Sequence, residues 1–149
     1  MGLLVACPPL CWFWMPAITK DPRAQLANRL PAYFFGNDEK DTCRYANGDG
    51  KCDGYAYSSP VGKFAQNGFG LYDMHGNAWQ CVGDCWHDSY SWAPSDGAAW
   101  TSGDCRERVL RGGSWGNSPG DLRSALRYRY LTLVRYNING FRLGRTLTP

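Results

Sequence analysis

The sequence has 149 residues, 44% of them apolar and 19% charged, with 18 Gly, 9 Pro and 15% aromatics. This balance fits one loop-rich globular domain with a buried core and excludes a disordered chain. No stretch approaches the roughly 20 apolar residues of a membrane helix, so no membrane span is expected. The net charge of +3 is uneven: residues 1–105 carry 7 basic and 11 acidic groups, whereas residues 106–149 carry 9 Arg against Glu107 and Asp121. A basic tail can serve nucleic acid, but no nucleic-acid motif accompanies it, and no such partner is expected. Interspersed Arg is read instead as bracing loops and strands through fork-shaped hydrogen bonding.

There are seven cysteines: Cys7, Cys11, Cys43, Cys52, Cys81, Cys85 and Cys105. Disulfides in an exported or cell-surface protein are one reading and zinc is the other, although the tight two-residue-spaced knuckles of zinc sites are missing. Leu4-Val5-Ala6-Cys7 matches a bacterial lipobox in letters, without the basic and long apolar regions that should precede it.

In chain order, residues 1–28 form an atypical, proline-broken segment containing Cys11-Trp12-Phe13-Trp14-Met15-Pro16. Residues 29–60 are dense in turn signals. From Pro60 the chain predicts a short strand at Val61 to Phe64, then a turn through Asn67–Leu71 into Tyr72–Asn77. A buried strand follows at Ala78 to Val82, and a long polar and aromatic loop covers Asp84 to Gly103. Val109 to Trp115 reads as a strand whose Gly112-Gly113 pair signals a bulge or a close backbone approach. Arg127-Tyr128-Arg129-Tyr130 alternates with period two, which puts Arg and Tyr on opposite sides of an extended segment. Gly140 to Leu143 predicts a last strand.

Gly68-Phe69-Gly70-Leu71-Tyr72-Asp73-Met74-His75-Gly76-Asn77-Ala78-Trp79 resembles the signature of the formylglycine-generating enzyme (sulfatase-modifying factor) family. Arg111-Gly112-Gly113-Ser114-Trp115, Gly140-Phe141-Arg142-Leu143 and Arg29-Leu30-Pro31 are also similar to its landmarks. The resemblance implies an α+β, C-type-lectin-like fold over residues 29–149, loop-rich with a small antiparallel sheet. The family's core helix after Arg-Leu-Pro is missing, so a fold truncated in its N-terminal half is expected.

The family's oxidase uses a cysteine pair just after the Gly-Gly-Ser-aromatic motif, where a thiolate can bind copper and exchange with the substrate cysteine. Here Gly116-Asn117-Ser118-Pro119-Gly120-Asp121-Leu122 follows Trp115, and no cysteine comes after Cys105. No catalytic residue is therefore assigned. The resemblance also implies two calcium sets, one of Asp73, Gly76, Ala78 and Gln80, the other of Asn47, Gly48 and Asp49. Oxygen donors of this kind suit a hard cation; turn-capping by Asp73 and Asn77 is the alternative. The family has Glu at the position of Gln80. Cys43 and Cys52 flank one turn and Cys85 and Cys105 flank the long loop, so both pairs are expected to form disulfides. Cys81 is read as a buried thiol.

Residues 116–149 contain no Lys, Glu, Gln, Met or Trp, whereas residues 1–115 contain 19. This omission resembles the variable proteins of diversity-generating retroelements, which belong to the same fold branch. Adenine rewriting of Asn codons there cannot yield those five types. The positions Gly116, Asn117, Ser118, Asp121, Leu126, Tyr128, Tyr130, Val134, Tyr136 and Ile138 are all reachable, between fixed Arg123, Arg127, Arg129 and Arg135. The resemblance implies a non-catalytic display domain that binds a protein or surface ligand through residues 116–140. Tyrosines offer rigid amphipathic contact, and Leu131 and Leu133 with Leu126 and Val134 would add an apolar patch. The alternative is an oxidase acting on a sulfatase cysteine with copper.

Overall fold

A computed structural model describes residues 31–49 and 52–142. Residues 1–28, Arg29-Leu30 and Leu143 lie outside the described residues. Four strands form a mixed sheet: β1 (Trp79–Cys85), β2 (Glu107–Arg111), β3 (Tyr128–Leu131) and β4 (Asn139–Gly140), in the order β3-β2-β1-β4. β2 runs antiparallel to both β1 and β3, but β4 runs parallel to β1. The expected antiparallel sheet is corrected on that point, because the chain crosses from one sheet edge to the other between β3 and β4.

Cross-strand registers define the two faces. Cys81 pairs with Leu110 and Leu110 with Tyr128, which sets these residues, with Trp79 and Tyr130, on one face. Gln80 pairs with Arg111 on the other. The β1–β2 register shifts between Cys81 and Cys85, where Arg108 donates to the Gly83 carbonyl at 2.7 Å. An irregularity of this kind bends and twists the strand.

Helix is scarce. α1 (Thr42–Tyr45) follows a 3-10 turn at Glu39–Asp41, whose Asp38 cap accepts from the Lys40 N–H at 2.9 Å. Ala32–Gly36 forms a tight aromatic turn closed by Tyr33 and Gly36 bonding each other's backbones. Tyr33, Ala46 and Leu122 pack together as a buried cluster beside it, with Phe35 and Ala32 alongside. Phe35 stacks on both Tyr33 and Tyr45, and Phe34 stacks on His75.

The expected strand at Val61–Phe64 is a turn instead. Gly62 takes φ +77° and its N–H goes to the Asp73 carboxylate at 2.7 Å, so it joins no ladder. The Gly112-Gly113 pair marks a close approach. Both have positive φ, and a Cβ on Gly113 would collide with Leu122 Cδ2 and lie 3.1 Å from the Asp121 carbonyl.

Candidate functional site

The three sequence motifs converge on one junction. The Gly76 N–H donates to the Gly112 carbonyl at 2.7 Å, the Trp115 N–H to the Asn77 carbonyl at 3.0 Å, and the Trp79 N–H to the Ile138 carbonyl at 2.8 Å. Asn77 (φ +64°) also clasps Ser59, its side chain accepting from the Ser59 N–H and donating to the Ser59 carbonyl. This frame holds both ends of the segment 116–138.

That segment divides into two neighbourhoods. Its first part is anchored inward. Asn117 Oδ1 accepts from the Ser114 N–H and hydroxyl, Leu122 is fully buried, and the Ser124 N–H donates to the Ala32 carbonyl. Ser118 and Asp121 sit here on the 3-10 turn Pro119–Leu122, bonded to each other at 2.8 Å, with Tyr33 donating to the Pro119 carbonyl between them. The buried Arg111 guanidinium ends this part by donating to the carbonyls of Ala125 and Leu126. Burial lowers the Arg111 pKa from its ordinary value.

The second part faces outward. Tyr128, Leu131, Leu133 and Tyr136 are 53%, 51%, 92% and 45% exposed. Leu126, Tyr130, Val134 and Ile138 are half-buried among them. Tyr128 stacks on Trp79, and Tyr130 meets Tyr136 edge-on at 4.8 Å. Desolvation, then the Tyr136 hydroxyl, pushes the Tyr130 phenol up to about 12. The crossing segment is held by Thr132 N–H on the Arg106 carbonyl at 2.9 Å and by turns at Leu131–Val134 and Tyr136–Asn139. The structure therefore groups Leu126, Tyr128, Tyr130, Leu131, Leu133, Val134, Tyr136 and Ile138 around the sheet, and sets Ser118 and Asp121 in the first neighbourhood.

Arg129 of β3 and Arg127 just before it point away from these tyrosines. Arg127 lies over the rings of Trp86 and Tyr90 at 4.6 and 4.2 Å, and Arg129 bonds Glu107 at 3.2 Å. Nothing in the sequence placed Trp86 or Tyr90 beside the tail. Their density in the long loop was the available signal. Trp92 at the loop tip is 96% exposed with φ +67°.

Of the two calcium sets, the one at Asp73 is already bonded in part by other groups of the chain. Gln80 donates through Nε2 to the Asp73 carbonyl, and its Oε1 accepts from Arg142 at 3.0 Å. Arg142 also reaches the Tyr72 and Asp73 carbonyls, so a guanidinium already supplies positive charge beside Asp73 and Gln80. Asn47 Oδ1 in the second set and Asp73 Oδ1 in the first are both buried with no hydrogen-bond partner. Among the described residues no three His, Cys, Asp or Glu side chains cluster as a metal site.

Cys43–Cys52 and Cys85–Cys105 are disulfides. Cys81 is also disulfide-bonded, which corrects its reading as a thiol. None of the five described cysteines therefore offers a thiolate for copper or for exchange with a substrate. No helix among the described residues is long and apolar enough to cross a membrane.

Residues 23–147 match the family model of the sulfatase-modifying factor enzyme 1-like domain. The chain is 41% identical to the formylglycine-generating enzyme of Thermomonospora curvata over 69 residues, 42% of this chain and 22% of that protein. Among solved structures it is similar to PvdO from Pseudomonas aeruginosa (TM-score 0.68, 44% identity, 80% of this chain and 46% of that one). It is also similar to Treponema denticola variable protein 1 (TM-score 0.61, 31% identity, 70% of this chain and 37% of that one). The chain spans less than half the length of each of these relatives.

Proposed function

This chain belongs to the sulfatase-modifying factor enzyme 1-like family, and from that premise we propose that it is a non-catalytic display domain, the variable protein of a diversity-generating retroelement. Its ligand, a protein or other surface molecule, is bound by the C-terminal segment. One observation carries the reading: Tyr128, Leu131, Leu133 and Tyr136 stand exposed on a braced sheet edge. They lie in the stretch that lacks Lys, Glu, Gln, Met and Trp. A monomer gains nothing by exposing such a patch, whereas a recognition surface does. The similarity to a protein named as a variable protein supports the same reading.

The bonding of the described cysteines supports both the loss of thiol chemistry and an oxidising compartment, hence export or the cell surface. Calcium on Asn47, Gly48 and Asp49 is a structural part of the proposal. The test is genomic. A near-copy of the DNA encoding Arg111 to Arg142, differing mainly at adenines and lying beside a reverse-transcriptase gene, is expected. A genome with neither sinks the reading.

The second reading, an oxidase that converts a sulfatase cysteine with copper, is favoured by the identity to a formylglycine-generating enzyme. Copper- and oxygen-dependent turnover of a sulfatase-type cysteine peptide would establish it in place of the first.

A further inference from the structure

Arg111 on β2 and Arg127 just before β3 line one cleft with Asp84, Tyr90, Trp100 and Val109. Val109 and Arg111 alternate with Leu110 along β2, so the cleft lies on the sheet face opposite Leu110 and Tyr128. The Arg111 guanidinium is buried, and its bonds run from Nη1 to the carbonyls of Ala125 and Leu126. The Arg127 guanidinium lies over the Trp86 and Tyr90 rings. Stacking of this kind uses the flat face of a guanidinium and leaves its in-plane N–H donors for other partners. Among the described residues neither arginine is paired with a carboxylate, whereas Arg106 is paired with Asp104 and Arg129 with Glu107. We propose that this cleft is a second binding site, which takes the carboxylate of a small aromatic or branched-chain acid between the two guanidiniums.

An unpaired charge is costly to bury, and a second cation nearby adds to that cost. Burial first, and then the Arg127 charge, lower the Arg111 pKa, against the opposing influence of Tyr90 and Asp84. A carboxylate between the two arginines offsets this cost through charge-assisted, fork-shaped bonding. Charge also selects among anions. Asp84 shares the cleft, its Oδ1 accepting from the Trp100 N–H at 2.6 Å. A dianion such as phosphate therefore meets a second carboxylate, and a monoanion fits better. Tyr90, Trp100 and Val109 supply aromatic and apolar wall, which suits a flat or branched hydrocarbon behind the carboxylate. None of the lining residues belongs to the outward surface of the tail, so the inference stands apart from the display reading.

Calorimetric titration of the full chain with sodium benzoate tests the site. Benzoate should bind saturably, and benzamide, its neutral counterpart, should bind about tenfold more weakly or worse, the loss expected when a charge-assisted bond is removed. Arg127→Gln should weaken benzoate by a similar factor, without the folding risk of altering Arg111, which braces Ala125 and Leu126. Arg106→Gln removes an equal charge from the exposed pair with Asp104 and should leave the affinity unchanged. No saturable heat with benzoate, equal binding of benzamide, or a loss in Arg106→Gln that matches Arg127→Gln would each overturn the proposal. So would tighter binding of inorganic phosphate, or of an acetylated peptide whose free C-terminal carboxylate outcompetes benzoate.

Discussion

His75 ties the Asp73–Trp79 motif to the tail through Leu122: its Nδ1 lies 2.6 Å from the Leu122 carbonyl, while the Phe34 N–H meets its Nε2 at 3.2 Å. Nε2 therefore accepts and Nδ1 carries the proton, which fixes one neutral tautomer. Adding a proton at Nε2 would remove the acceptor for Phe34 and place a charge among Tyr33, Phe34 and Phe35.

Burial holds the His75 pKa below its ordinary value, against the raising effect of the Leu122 carbonyl. The unfolded chain then binds the proton first as pH falls. The stability linked to this neutral ring is complete above the unfolded value near 6.5 and is lost as pH falls toward the lower folded value. Urea midpoints should decline between pH 7.5 and pH 5, and the decline should shrink in His75→Gln. A flat profile in the parent chain would refute the buried neutral tautomer.

The split of the tail into an anchored and an outward part predicts opposite responses. Leu122→Ala removes the centre of the Tyr33–Ala46 cluster and should cost about 2–5 kcal/mol. Gly113→Ala combines φ +75° with a collision against Leu122, and should cost about 2–4 kcal/mol. Leu131→Ser and Leu133→Ser, both exposed, should change stability by about 0.5 kcal/mol or less. Equilibrium urea unfolding of the four variants checks this. A large loss at Leu133 would mean that it packs rather than displays.

These contrasts also explain what the sequence disclosed. β3 was legible from the period-two alternation of Arg127–Tyr130, and β1 and β2 from short apolar runs at Trp79–Val82 and Val109–Leu110. Gly112-Gly113 was legible as a close approach because only glycine admits one. Val61–Phe64 misled because apolar Val61 and Phe64 bracket Gly62-Lys63, and the Gly62 N–H is claimed by Asp73 rather than by a strand. The parallel β4 is two residues long and is set by a crossing segment, so it has no local signal. The stacking of Arg127 on Trp86 and Tyr90 joins residues far apart in the chain. It is therefore invisible to any local reading.

The Cys85–Cys105 bridge closes a separation of 20 residues around the long loop. Cys85 is buried at the end of β1, and its N–H donates to the Trp100 carbonyl at 2.8 Å. In the chain-entropy picture, cutting this bridge with Cys85→Ala and Cys105→Ala together should cost about 3 kcal/mol. Cutting Cys43–Cys52, a separation of 9, should cost somewhat less, near 2.5 kcal/mol. Denaturant unfolding of the two double variants orders them. The reverse order would show that the shorter loop anchors the Asn47 turn by more than entropy.

Calcium separates the two oxygen-rich sets. Asn47 Oδ1 and Asp73 Oδ1 are both buried with nothing to satisfy them, but beside Asp73 the Arg142 guanidinium already bonds the Gln80 oxygen and the Tyr72 and Asp73 carbonyls. A hard cation is thus expected to act through Asn47, Gly48 and Asp49. At ten to a hundred times its Kd it should stabilise the fold by roughly 1.4–2.7 kcal/mol. Thermal unfolding with and without millimolar calcium reads the effect, with chelator as the control. Asp49→Ala should abolish the shift, because it removes the set's one carboxylate, and Gln80→Ala should leave it in place while lowering the baseline. A shift lost in Gln80→Ala and kept in Asp49→Ala would move the ion to Asp73. It would also mean that Arg142 yields the site when calcium binds.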